Sequence, residues 1–189
     1  MKKYGPRDVA YAILWDAKDE SFIPKITGHP NFISLCEKGW NDHKIDFYGI
    51  EPLQISKADD LVTFPGLSYA AQLITGHEST KFTFMCVGSD GSTSSPFQQL
   101  LIAEAASRIN MAISGIMSHV GTGLYFLANF PSSFQTITAK ESGVNTTSTP
   151  NTGILFNRNA FPVPITHVSG GTAFTLASLI TFTSVTTWG

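Results

Sequence analysis

Between Val9 and Trp15 apolar side chains fill both alternating sets of positions, with Val9, Tyr11, Ile13 and Trp15 on one face and Ala10, Ala12 and Leu14 on the other. Such a segment predicts a strand covered on both sides. A second alternation, Phe82, Phe84 and Cys86 against Thr83, Met85 and Val87, predicts a strand over 81–87 that runs into the turn Gly88-Ser89-Asp90-Gly91. The period then changes. Ser95 as cap, Pro96 at the first helical position and Gln98 at capping-box spacing open a candidate helix over about 96–120, and Gly121 and Gly123 close it. Along it Leu101, Ala105, Ile109, Ala112, Ile113, Ile116, Met117 and Val120 form a stripe at intervals of three and four residues. The other flank, Ala103, Ala106, Ser107, Asn110, Ser114 and Ser118, is small and suits a solvent face or a subunit contact equally.

After residue 123 the pattern returns to strands, at 124–127, 134–138, 153–156, 165–168 and 173–185. In the last, Phe174, Leu176, Ile180, Phe182 and Trp188 share one face and Thr175, Thr181, Thr183 and Thr187 the other. Residues 16–60, broken by Pro24, Gly28, Pro30, Gly39, Gly49 and Pro52, read as a charged, irregular connecting arm with a short strand at 44–48. The polar run 140–153 reads as a projecting hairpin loop. No internal repeat is present. The pattern predicts an α+β fold over a single domain, 1–189: an antiparallel β-sandwich or barrel with one long packed helix and extended loops or an arm.

Charge changes this picture. Of the 26 charged residues, 18 precede residue 61, and from Gly121 to Gly189 only Lys140, Glu141 and Arg158 are charged, against 21 Ser and Thr. A hydroxyl-rich, uncharged surface resists self-association poorly, so the back half reads as a surface to be covered. Lys81, Arg108, Lys140 and Arg158 are the only basic residues after 60, too few for a phosphate-binding face. Glu104, Arg108, Asn110 and His119 interrupt the most apolar stretch, which excludes it as a membrane span. No signal-peptide-like run follows the N-terminal lysines before Asp16.

Candidate chemistry is sparse. His29, His43, His77, His119 and His167 lack metal-ligand spacing. Ser89 misses the nucleophile-elbow pattern and fits a turn. Asp59 with Asp60, and Asp16 with Asp19 and Glu20, are carboxylate candidates for a hydrolase or calcium but read as solvated surface. Gly121-Thr122-Gly123 ends a helix rather than opening one and forms no phosphate cradle. Asn145-Thr146-Thr147 matches the glycosylation sequon, incidentally in a chain without a secretion signal. Cys36 and Cys86 have no ligand-spaced partner; Cys86 reads as a core thiol, and whether the two are bonded stays open. Trp15 and Trp188 read as core, leaving Trp40 as the one tryptophan free to stack on a sugar. No catalytic, cofactor-binding or metal-ligating residue, and no cofactor, is expected.

The opening Tyr4-Gly5-Pro6-Arg7-Asp8-Val9-Ala10-Tyr11-Ala12-Ile13-Leu14, followed by a sandwich with one helix, a long polar loop and a Thr-rich closing strand, resembles structural proteins of tailed-bacteriophage particles, particularly tail tube subunits. The resemblance implies a non-enzymatic virion protein, assembled in the host cytoplasm into stacked hexameric rings whose inner sheets join. Its partners are copies of itself and other virion proteins, with nucleic acid only passing through a lumen and no membrane. The long segment 16–60 departs from a compact tube subunit and leaves neck or capsid decoration as alternatives. A carbohydrate-binding β-sandwich using Trp40 and a hydrolase using acids of 16–60 are the rival readings.

Overall fold

A computed structural model describes residues 8–42, 47, 49–120 and 123–181. The chain is α+β and mostly strand. The strands are β1 (Asp8–Asp16), β2 (Gln54–Val62), β3 (Phe84–Gly88), β4 (Ile109–Asn110), β5 (Gly115–Val120), β6 (Gly123–Phe130), β7 (Ile137–Asn145), β8 (Leu155–His167) and β9 (Thr172–Thr181). A 3₁₀ turn (Ala17–Phe22), α1 (Ile23–Thr27) and α2 (Phe32–Asp42) separate β1 from β2; α3 (Phe64–Ile74) follows β2, and α4 (Met111–Ser114) joins β4 to β5.

All pairings are antiparallel, in the order β4-β3-β7-β8-β2-β1-β9-β6-β5. This ladder doubles back on itself as a sandwich. Its corner is β2, which pairs with β1 from Gln54 to Asp60 but with β8 only through Asp60, Leu61 and Val62. The two ends of the ladder, β4 and β5, meet through the four residues of α4.

β1 is central and buried on both faces, as its pattern predicts. Ala10, Ala12 and Leu14 face the inner core with Phe126, Phe130, Phe156, Phe174 and Leu176. Tyr11, Ile13 and Trp15 face an outer layer built from Ile23, Ile26, Phe32, Cys36 and Phe47. The described residues of 16–60 are therefore a packed cover and a sheet strand rather than an irregular arm. Pro24 lies in the first turn of α1, where its missing N–H costs nothing. A buried chain of hydrogen bonds fixes the cover: Trp15 Nε1 donates to Thr175 Oγ1 (3.0 Å), Thr175 Oγ1 to Asn129 Oδ1 (2.8 Å), and Asn129 Nδ2 to Thr27 Oγ1 (3.1 Å). The strand expected at 44–48 falls largely outside the described residues; within it, Phe47 bridges to Ile50.

The long helix over 96–120 does not form. Its start signals are real but local: Gln98 N donates to Ser95 O, Gln98 Oε1 accepts from Ser95 N, and Ser95 Oγ accepts from Phe97 N. The chain then turns to the sheet, where Ala105 N donates to Val87 O and Ser89 N to Ala103 O. The stripe is not used as a stripe. Leu101, Ala105 and Met111 are buried, whereas Ile113 is 81% exposed. Strand pairing of β-branched Ile109 and Ile116 outweighs the weak preference of an Ala- and Ser-rich run for helix.

Two further expectations change. Residues 140–145 are the second half of β7, with Glu141 to Asn145 buried, so only the turn after Asn145 is a loop. The strands expected at 153–156 and 165–168 are one strand, β8: Ala139 opposes Ile165 while Glu141 opposes Ala160, and the bulge between absorbs Pro162 and Pro164.

Candidate functional site

β5 is an edge. Among the described residues it pairs only with β6, and Gly115–Val120 contains no Asp, Glu, Lys or Arg. Soluble monomers blunt such edges with Lys, Pro or bulges. Here the strand follows α4, whose Ile113 is 81% exposed, and carries Met117 at 38%. β5 approaches β6 so closely at Gly115 that a Cβ there would lie 2.0 Å from Leu127 O, which holds this position to glycine. A second uncharged surface lies on α3. Thr63 caps it by accepting from Gly66 N (3.1 Å), and Phe64, Leu67 and Ile74 point outward, with Phe97 packed edge-on against Phe64 at 5.1 Å.

β9, the described part of the Thr-rich closing strand, is central, held between β1 and β6 along its length. Thr175 and Ser178 on it are buried. The uncharged edge open to pairing with another chain is therefore β5 rather than β9.

Burial also removes charge from the back half. Glu141 and Arg158 are both fully buried and face each other, Arg158 Nε donating to Glu141 Oε2 at 2.7 Å. Glu141 also accepts from Ala103 N (2.8 Å) and Ile102 N (3.2 Å), and Arg158 Nη1 donates to Ser92 O (2.8 Å). Asp90 Oδ1 accepts from Arg158 Nη2 at 3.3 Å and from Ser92 N at 2.8 Å; the Ser92 hydrogen bonds, with Arg158 nearby, hold its carboxyl below the ordinary aspartate range. A second buried pair, Arg108 with Glu104, ties down the turn after β7 through Thr147 O (2.7 Å) and Asn151 N (2.8 Å). These groups splint the loops onto β7 and β8. Among described residues 123–181, Lys140 is left as the only charged side chain that is not buried.

The residues weighed for chemistry are spread apart. His167 is buried between Phe134 O (Nε2, 3.0 Å) and Thr172 Oγ1 (Nδ1, 3.0 Å), His77 contacts Thr75 Oγ1, and His29 Nδ1 accepts from Asn31 N. His43, Gly121 and Trp188, with the His119 and Asp60 side chains, lie outside the described residues. No group of three His, Cys, Asp or Glu among the described residues could hold a metal ion. Asp16 caps the 3₁₀ turn, Glu20 accepts from Ser132 N, and Asp59 is exposed. Ser89 serves the turn after β3. Asn145 of the sequon is buried and accepts from Thr147 N. Trp40 packs half-buried against the outer cluster. Cys36 and Cys86 are free thiols in separate clusters, both pushed up by burial.

The sequence offered a signal for each surface that was missed. Thr63-Phe64-Pro65 is a helix start, and the β-branched residues around Gly115 favour a strand. No protein family, curated protein or solved structure matches this chain.

Proposed function

We propose that the chain is a non-enzymatic, self-assembling virion structural protein, a tail-tube-like subunit that forms rings and works through surfaces rather than a catalytic site. The supporting observation is β5: six residues without Asp, Glu, Lys or Arg that among the described strands pair only with β6, with exposed Met117 on the strand and exposed Ile113 just before it. Adding a strand edge of the next copy satisfies its backbone groups, and repetition around a ring leaves no end. The near-neutral back half removes the charge repulsion that opposes close approach. Other virion proteins are the remaining partners, and the virion is the place of action.

Light scattering on the purified protein, followed by electron microscopy, tests the reading. Rings or a defined multimer are expected, reduced to monomer by Ile113→Lys with Met117→Lys, both on exposed side chains. A wild-type chain that stays monomeric at high concentration overturns it.

A further inference from the structure

The layer that covers the outer face of the sheet holds its two helices in different ways. α1 is joined to β6 by the buried hydrogen bond from Asn129 to Thr27, which continues to Thr175 and Trp15. α2 rests on buried Phe32 and Cys36 and is tied to the sheet through Glu37, which accepts from Tyr11 of β1 and from Lys57 Nζ of β2. Between the helices lie Gly28, His29, Pro30 and Asn31, and Pro30, which has no N–H to donate, breaks the helical run. β1 and β9 beneath are paired on both sides and owe none of their ladder to α2.

Two defects lie under this layer. A cavity of about 450 Å³ separates residues 27–34 from Ile116, Ser118, Tyr125 and Leu179 on the sheet, so the start of α2 is incompletely packed. Tyr125 belongs to the same outer cluster as Cys36, and its phenol is raised by burial and by that neighbouring thiol. Its hydroxyl is shut off from water and has no hydrogen-bond partner, which is costly for a buried donor. Tyr11 and Trp15, on the same face, both have partners.

We propose that α2 is a latched cover, which lifts from the outer face of the sheet about residues 28–31 while the sandwich stays folded, with Glu37 as the latch. Both defects burden the closed form alone: in the open form water reaches the Tyr125 hydroxyl and the gap no longer exists. Opening bares Tyr11, Tyr125 and Leu127, a strip that adjoins β5 through the β5–β6 pairing. The inference stands apart from the assembly reading, since it needs only the folded subunit.

Cys36, buried under α2, reports the opening, because iodoacetamide alkylates a thiol only when it is reached. Labelling of the full chain is followed by peptide mass spectrometry across a urea series below the global transition, which circular dichroism locates. Lifting the cover exposes less surface than global unfolding, so Cys36 labelling should rise with urea at well under the global slope. Glu37→Gln should speed it roughly 2- to 10-fold, and Tyr125→Phe, which takes the unpartnered hydroxyl out of the closed form, should slow it roughly 5-fold or more. Ile165→Val, in the inner core on β8, lowers global stability without touching the cover, so Cys36 labelling in low urea should stay as in the unaltered chain. A Cys36 that stays unlabelled until the global transition, or that Ile165→Val exposes as much as Glu37→Gln does, overturns the proposal. So does a labelling rate that Glu37→Gln does not raise or Tyr125→Phe does not lower.

Discussion

Glu141 and Arg158 account for two of the three charges in the back half, yet neither reaches solvent. A buried pair contributes little net stability relative to an apolar pair of equal volume, but removing one member leaves an uncompensated buried charge. Glu141→Ala is therefore expected to cost about 3–5 kcal/mol in urea unfolding, and Glu141→Leu with Arg158→Met to recover much of that loss. Equal losses in the single and double variants would show that the pair's hydrogen bonds to Ala103, Ile102 and Ser92 matter more than its charge balance. Glu37 differs, because it is partly exposed on α2. Lys57 Nζ donates to both its oxygens at 2.8 Å, and this contact, with the Tyr11 hydroxyl, holds its carboxyl below the ordinary glutamate range. A depressed folded value means that the stabilisation is complete above about pH 4.3, the unfolded value, and is lost as pH falls through the lower folded value. Glu37→Gln should flatten that part of the acid-unfolding curve, and an unchanged acid limb would remove Glu37 from the account.

At the scale of elements, what was legible depended on whether local pattern and tertiary environment agreed. β1 was readable because alternation with two apolar faces admits one environment, and the structure supplies it with a core on each side. β2 was not, because Lys57, Asp59 and Asp60 make it look solvated; Glu37, far along the chain, is what pairs Lys57. The 96–120 segment misled for the opposite reason. Its capping signals were correct for one turn, and the three-four stripe that followed was compatible with helix without requiring it. The outer surfaces were legible only in their lack of charge, since nothing local distinguishes an edge strand from a central one: pairing order alone puts β9 inside the sheet and β5 at its end. Gly115 was the residue to heed: it breaks the helical pattern at a point of contact between strands. Gly115→Ala places a methyl group against the Leu127 backbone and should destabilise by about 1–3 kcal/mol, as overpacking does. A favourable effect, as Ala for Gly in a helix interior gives, would restore the helical reading. Deleting 140–153, which a projecting loop would tolerate, removes half of β7 with Glu141 and should leave no folded subunit; a cooperative unfolding transition in that variant would count against the strand assignment.

The whole molecule has an uneven charge distribution with a physical consequence for assembly. Its charged side chains lie mostly in the front third, among them Lys18, Lys25, Lys38 and Asp59, while β5, α3 and the back half offer apolar and hydroxyl groups. Contacts made through β5 would bury apolar surface and backbone hydrogen bonds rather than ion pairs. Association through ion pairs weakens as salt shortens the screening length from about 30 Å at 0.01 M to about 3 Å at 1 M, whereas sulfate strengthens the burial of apolar surface. If the proposed assembly runs through β5, the multimer fraction measured by sedimentation velocity should change little as sodium chloride rises across that range and should increase with ammonium sulfate. Dissociation by sodium chloride alone would place the contact on the charged front instead, with Lys38 and its neighbours on α2 as the first candidates. The same series on Ile113→Lys with Met117→Lys separates the two surfaces, because a contact through the front face would persist in that variant and one through β5 would not.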